Sequence, residues 1–236
     1  MKLLLFDIDG TIVRSGSFLG KAHERAFIDG FAAAYGLDMA SDILSHGSEY
    51  SGRTDMFIAK DLLRRRGLTA GAIDRGIMDM FRAMEESFIK QVRASDYRDC
   101  TIGGVREIIT ELGAMDNCVL GLLTGNVYGI AQAKMKAIGL EGIFRLGGFG
   151  DSSEDRSDLV GIAIADGIRK NLFNEPPYNS DIFVIGDTKN DVKCAKANNV
   201  VSVALASGTA STEELRRYSP DYLFESMAKL PEIIKK

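Results

Sequence analysis

The chain opens on an unbroken apolar run, Leu3-Leu4-Leu5-Phe6, that ends in Asp7-Ile8-Asp9-Gly10-Thr11. A run without alternation predicts a strand over residues 2–8 that is buried on both faces, as in a parallel sheet. Comparable runs recur at Asn117–Leu123, Asp181–Ile185 and Val200–Leu205, with shorter strand-like stretches at Phe144–Phe149 and Tyr222–Phe224. Between them apolar residues fall at three- and four-residue steps. These predict helices from Gly103-Gly104 through Leu112, from Asn126 to Ala137, and over Leu159–Arg169, Thr188–Ala197, Glu213–Arg217 and Met227–Ile234. Alternation of buried strands with helices implies an α/β fold with a Rossmann-like, doubly wound parallel sheet.

One block breaks the alternation. After a Gly/Ser-rich stretch at residues 10–20, apolar positions from Lys21 to Gly36 (Ala22, Ala26, Phe27, Phe31, Ala34, Tyr35) keep a helical period. Asp55–Arg66 and Ala72–Val92 do the same, residues 38–53 read as a short helix and a loop, and no strand pattern occurs across residues 20–95. The chain therefore divides into an α/β core, residues 1–13 and 99–236, and an inserted all-helical cap domain, residues 14–98. Open α/β sheets hold ligands at the carboxyl ends of their strands, so the cap is expected to cover that edge.

Composition narrows the function classes. The 236 residues are 45% hydrophobic and 26% charged, with a net charge of −4, so no basic surface points to nucleic acid or an anionic membrane. No apolar stretch reaches spanning length, and the N-terminal run is too short for a signal peptide. Cys100, Cys118 and Cys194 are widely spaced, no CxxC occurs, and His23 and His46 lie far from them in sequence. Reduced thiols in a cytoplasmic protein are the expectation, and a disulfide framework or zinc site is not.

The candidate chemistry sits at three strand ends. Asp7 and Asp9 follow the first strand, Thr124-Gly125-Asn126 the second long run, and Gly186-Asp187-Thr188-Lys189-Asn190-Asp191 the third. Asp, Thr and Asn are common strand-end and helix-cap residues, so any one site alone has a structural explanation. Two carboxylates one residue apart are a costly way to cap a strand. They repel unless compensated, most simply by a divalent cation.

Together, Phe6-Asp7-Ile8-Asp9-Gly10-Thr11, Leu123-Thr124-Gly125-Asn126 and Gly186-Asp187-Thr188-Lys189-Asn190-Asp191 resemble the first, second and fourth motifs of the haloacid dehalogenase superfamily. Order, spacing and the helical insert match members with a cap between motifs one and two. The third motif is usually a lysine, but no Lys lies between Glu141 and Arg169. Arg156, just ahead of the helix at Leu159, keeps the charge. It offers a planar fork where Lys gives a point charge. Its alternative reading is a solvated loop arginine paired with Asp155 or Asp158.

The resemblance implies a mechanism. Asp7 is the expected nucleophile, forming an aspartyl-phosphate, and Asp9 the expected proton carrier. Mg2+ is expected on Asp7 and Asp187, on the Asp9 backbone carbonyl, and, indirectly, on Asp191, which could instead hold Lys189 and nearby waters. The Thr124 hydroxyl and the Gly125 and Asn126 amides are expected to take phosphate oxygens, and Arg156 to neutralise charge. An acid/base Asp9 is absent from the dehalogenating and phosphonate-cleaving relatives, so it favours phosphate esters. Within the insert, Arg53 is either an anion-binding group or a solvated neighbour of a helix cap at Thr54. His23 either reaches the site or lies on a helix surface, and Arg64-Arg65-Arg66 complements a helix end.

The leading expectation is a Mg2+-dependent phosphatase for a small phosphorylated metabolite such as phosphoglycolate, acting as a monomer or homodimer. A sugar-phosphate phosphomutase fits the same motifs. A receiver-type phospho-acceptor shares the acidic pocket but lacks the insert and is about half this length.

Overall fold

The computed structural model describes residues 1–46, 49–92, 97–208 and 210–235. Six strands form one parallel sheet: β1 (Lys2–Phe6), β2 (Cys118–Leu123), β3 (Leu146–Gly148), β4 (Ile182–Gly186), β5 (Val201–Leu205) and β6 (Tyr222–Phe224). Their order is β3-β2-β1-β4-β5-β6, the doubly wound arrangement that the alternation predicts. The first strand is apolar throughout because both its faces are covered. Leu4 and Phe6 enter one hydrophobic cluster, and Leu3 and Leu5 enter another on the opposite face. Burying each such side chain contributes roughly 1.5–3 kcal/mol relative to leaving it exposed.

Among the described residues between β1 and Cys100 lie four α-helices: α1 (Phe18–Tyr35), α2 (Ala40–His46), α3 (Asp55–Arg65) and α4 (Ala70–Gln91). No strand occurs among the described residues of this stretch. The loop expected within residues 38–53 includes 47 and 48, which lie outside the described residues. Helix α1 starts three residues earlier than its apolar period predicts, because Ser17 is its N-cap and accepts from the Gly20 amide. The chain leaves and returns to the sheet side by side: Arg14 N donates to Cys100 O at 2.8 Å and Ile102 N to Ile12 O at 3.0 Å.

The remaining helices cover the sheet. They are α5 (Val105–Gly113), α6 (Tyr128–Ala137), α7 (Asp158–Arg169), α8 (Lys189–Ala197), α9 (Thr212–Arg216) and α10 (Leu230–Ile234). Val105, Ile109, Ile130 and Ala131 of α5 and α6 pack with Phe6, whereas Leu159, Ala163 and Ala195 of α7 and α8 pack with Leu5. The helix expected over residues 227–234 begins as a 3₁₀ turn at Met227–Lys229 and becomes α-helical at Leu230, with Pro231 in its first turn. Proline has no N–H to give there, so the position costs little.

Candidate active site

Strands β1 and β4 are neighbours at the point where the strand order reverses, the place where doubly wound sheets bind ligands. Their carboxyl ends deliver Asp7 and Asp187 side by side. The Asp7 amide extends the pairing by donating to Ile185 O at 2.9 Å. The chain then turns at Gly10, whose φ of 85° favours glycine. A Cβ at Gly10 would also overlap the Asp187 carboxylate, so this glycine lets the two strand ends converge. Thr11 Oγ1 donates to Asp187 Oδ1 at 3.3 Å.

Asp7, Asp187 and Asp191 form a buried cluster in which one carboxylate oxygen from each lies within 4.8 Å of the others. Arg156 enters it as the counter-charge. Its Nη2 lies 3.0 Å from Asp7 Oδ1 and 2.6 Å from Asp191 Oδ1, and donates to Leu123 O at 3.1 Å. Arg156 is buried at 6% exposure, so its solvated reading is excluded. Asp191 bonds to Arg156 and Thr188, closing a capping box at the start of α8, and among the described residues it makes no ion pair with Lys189.

Burial raises the pKa of Asp7 to about 7, opposed by Arg156 and reinforced by the charges of Asp191 and Asp9. Burial also raises Asp187, to about 8, with Asp7 and Asp191 adding repulsion. With all three carboxylates ionised, one guanidinium leaves two negative charges uncompensated. Hard oxygen donors with that deficit fit a divalent cation such as Mg2+.

Asp9 lies in a different environment. Lys134 Nζ is 2.7 Å from both of its carboxylate oxygens, and Asn126 Nδ2 donates to Oδ2 at 2.8 Å. Burial opposes ionisation of Asp9, but the charge of Lys134 and the hydrogen bonds from Lys134 and Asn126 prevail and hold its pKa below the usual carboxylate value. Lys134 itself is fully buried on α6. Its Nζ also lies 3.4 Å from His23 Nδ1, and His23 Nε2 lies 3.0 Å from Asp55 Oδ2. Sequence reasoning missed Lys134 and Asp55. The signal for Lys134 was a lysine in step with Ile130, Ala131 and Ile138 on the apolar face of α6. Asp55 resembled an ordinary first-turn acid.

A cavity of about 650 Å3 opens above these groups, bordered by Asp7, Asp9, Asp187, Arg156, Gly125 and Asn126 from the sheet side. His23 and Arg53 border it from the insert. His23 is therefore turned inward, with a side chain only 12% exposed. Arg53 is exposed, its guanidinium 4.5 Å from the Phe57 ring centroid. Thr124 does not border the cavity. It is fully buried, and its hydroxyl oxygen accepts from the Asn126 amide at 3.2 Å. That amide and the Val127 amide, which donates to Asp55 Oδ2 at 2.8 Å, are thus already engaged.

The start of α3 is bonded to the same loop. Asp55 N donates to Gly125 O at 2.7 Å and Met56 N to Gly150 O at 2.9 Å, while Arg156 Nη1 donates to Gly52 O at 3.2 Å. A Cβ at Gly125 would overlap the Arg53 carbonyl, so glycine permits this approach.

A family model described as haloacid dehalogenase-like hydrolase matches residues 1–199. The chain is 25% identical over 238 residues to a phosphoglycolate phosphatase of Colwellia psychrerythraea, with 97% of this chain and 95% of that protein covered. It is 21% identical over 242 residues to the pyrophosphatase PpaX of Listeria monocytogenes, covering 98% and 95%. Among solved structures, a mutant of CbbY from Rhodobacter sphaeroides in complex with xylulose-(1,5)bisphosphate superposes with a TM-score of 0.69 at 22% identity. That match covers 98% of this chain and 96% of the other, a likeness of fold. Among the described residues no helix is long and apolar enough to cross a membrane.

Proposed function

The chain belongs to the haloacid dehalogenase-like hydrolase family and is a phosphoric monoester hydrolase of that kind, and we propose that it is a Mg2+-dependent phosphatase working through an aspartyl-phosphate on Asp7. The observation that carries this reading is the Asp7 carboxylate, held 3.0 Å from Arg156 in a buried acidic cluster that needs two further positive charges.

In this reading an Asp7 oxygen attacks the substrate phosphorus, and the bond from phosphorus to the ester oxygen breaks. Asp9 gives a proton to the departing oxygen, a role worth roughly 10²–10⁴ in rate. Water then attacks the phosphoryl group on Asp7, Asp9 takes its proton, and phosphate leaves with Asp7 restored. Arg156 offsets charge on Asp7 and on the arriving phosphoryl group. Asp7, Asp187 and the Asp9 carbonyl would hold the Mg2+, with Asp191 fixing Arg156 behind them. The ion supplies charge neutralisation that lets an anionic carboxylate meet an anionic phosphate. Gly125 and the Asn126 side chain face the phosphate, and Thr124 supports their loop from beneath.

Residues 14–98 serve as the cap, with Arg53 available for a substrate carboxylate or second phosphate. Phosphoglycolate and pyrophosphate, named for two relatives, are first in the substrate panel. The test is phosphate release by the purified protein with Mg2+ over a panel of phosphorylated metabolites, with Asp7→Asn as control. Rapid release that needs both Mg2+ and Asp7 supports the reading. A long-lived phosphoenzyme with rearranged sugar phosphate would indicate a mutase, and turnover by Asp7→Asn would remove the nucleophile.

A further inference from the structure

Lys134 is a fully buried ammonium outside the acidic cluster. Burying such a group costs several kcal/mol unless it is paired and its donors are satisfied. All three N–H groups of Lys134 find acceptors: Asp9 Oδ1 and Oδ2, each at 2.7 Å, and His23 Nδ1 at 3.4 Å. The histidine can accept there because its other nitrogen faces the Asp55 carboxylate at 3.0 Å and donates to it. Asp55 is fixed in turn by the Val127 amide at 2.8 Å.

This chain of contacts alternates between the two parts of the molecule. Asp9 and Lys134 belong to the sheet side, His23 to α1 and Asp55 to α3, and Val127 returns to the sheet side. Lys134 makes no ion pair with Asp7, Asp187 or Asp191 among the described residues, so neutralising the phosphate site is left to Arg156.

We propose that Lys134 is a positioning residue for Asp9: it fixes the carboxylate that serves the leaving oxygen, and through His23 and Asp55 ties that orientation to docking of the helical insert. The inference rests on Asp9 being the proton carrier. With Lys134 removed, Asp9 keeps one fixed oxygen, through Asn126, and loses the two-point grip that sets its direction.

The test uses the leaving group. An alkyl phosphate such as glycerol 2-phosphate needs a proton at the departing oxygen, whereas p-nitrophenolate departs without one. The readout is the ratio of kcat/KM for the two esters, measured with saturating Mg2+ in wild type, Lys134→Met, Asp9→Asn and the double variant. The ratio is expected to fall by about tenfold or more in each single variant, and no further in the double variant. An equal loss on both esters in Lys134→Met, an unchanged ratio, or a further fall in the Asp9→Asn background would overturn the proposal. An Asp9→Asn enzyme with an unchanged ratio would instead remove the assignment of Asp9 itself. If Lys134→Met does not fold, Lys134→Gln, which keeps a donor but not the charge, is read by the same ratio.

Discussion

The acidic cluster makes metal-free stability depend on pH in a way that Mg2+ should cancel. An acid whose folded pKa lies above its unfolded value binds more protons when folded, so stability falls as pH rises between the two. Asp7 rises from 3.8 to about 7 and Asp187 from 3.8 to about 8, which places the fall between about pH 4 and pH 8. For Asp7 the rise corresponds to about 4 kcal/mol. We count the Asp7 rise alone, because the charge of Asp7 is itself one of the causes that raise Asp187 and adding both would count that repulsion twice. At about 2–4 °C per kcal/mol for a chain of this size, the melting temperature should drop by on the order of 10 °C. Asp9, Glu154, Asp166 and Asp221, whose pKa values are lowered, lose their stabilising contributions only at acid pH below this window. The assay is thermal melting across the range in EDTA and in saturating Mg2+. In EDTA the midpoint should fall with rising pH. In Mg2+ it should stay nearly level, and Asp187→Asn should flatten the EDTA curve. Parallel curves in EDTA and Mg2+ would refute the reasoning, since the ion would then not be relieving these carboxylates.

Arg156→Ala should lower kcat/KM by about 10² or more, because it removes the only cation bridging Asp7 and Asp191 among the described residues. Arg65→Ala, which breaks exposed pairs with Glu49 and Asp61, should change it by less than about twofold, and equal effects would return Arg156 to a structural role. Gly125→Ala should push the Arg53 carbonyl away, costing about 1–3 kcal/mol in denaturant unfolding and raising KM, whereas wild-type values would deny the close approach.

What the sequence made legible follows how locally each feature is encoded. Strand β1 could be read because every residue from Leu3 to Phe6 is apolar, and the three acidic or polar strand ends because each directly follows such a run. Arg156 is legible because the family resemblance calls for a basic residue in the short window ahead of α7, where no lysine stands. Its choice of Asp7 and Asp191 over Asp155 and Asp158 is not, since the partners come from other strand ends. Helix α1 was read short because its first turn, Phe18 to Gly20, lies in a Gly/Ser-rich stretch and depends on the Ser17 cap more than on period. The Lys134–His23–Asp55 contacts were hidden for the same reason as Arg156's partners. Positions 23, 55 and 134 meet only after three helices dock, and each residue has an ordinary helical explanation by itself.

The two aspartates of the opening motif end up in opposite electrostatic surroundings although one residue divides them. Asp7 shares its surroundings with two carboxylates and one arginine, and its proton is held to about pH 7 until positive charge arrives. Asp9 already has its cation in Lys134, so it rests ionised. Environments that drive two carboxylates apart are how one site separates nucleophile from acid/base. The direction here orders the events. Under the proposed mechanism, ionised Asp9 would be ready to take a proton from water in the second step, but would first have to acquire the proton that it gives to the leaving oxygen. An arriving phosphate places negative charge beside Asp9 and opposes the pull of Lys134, which favours protonation once substrate is bound. Lys134 then favours release of that proton as the ester bond breaks, because the carboxylate left behind is the form it stabilises. In this scheme substrate binding and Lys134 drive Asp9 in opposite directions at successive moments, and the proton moves when the ester oxygen needs it.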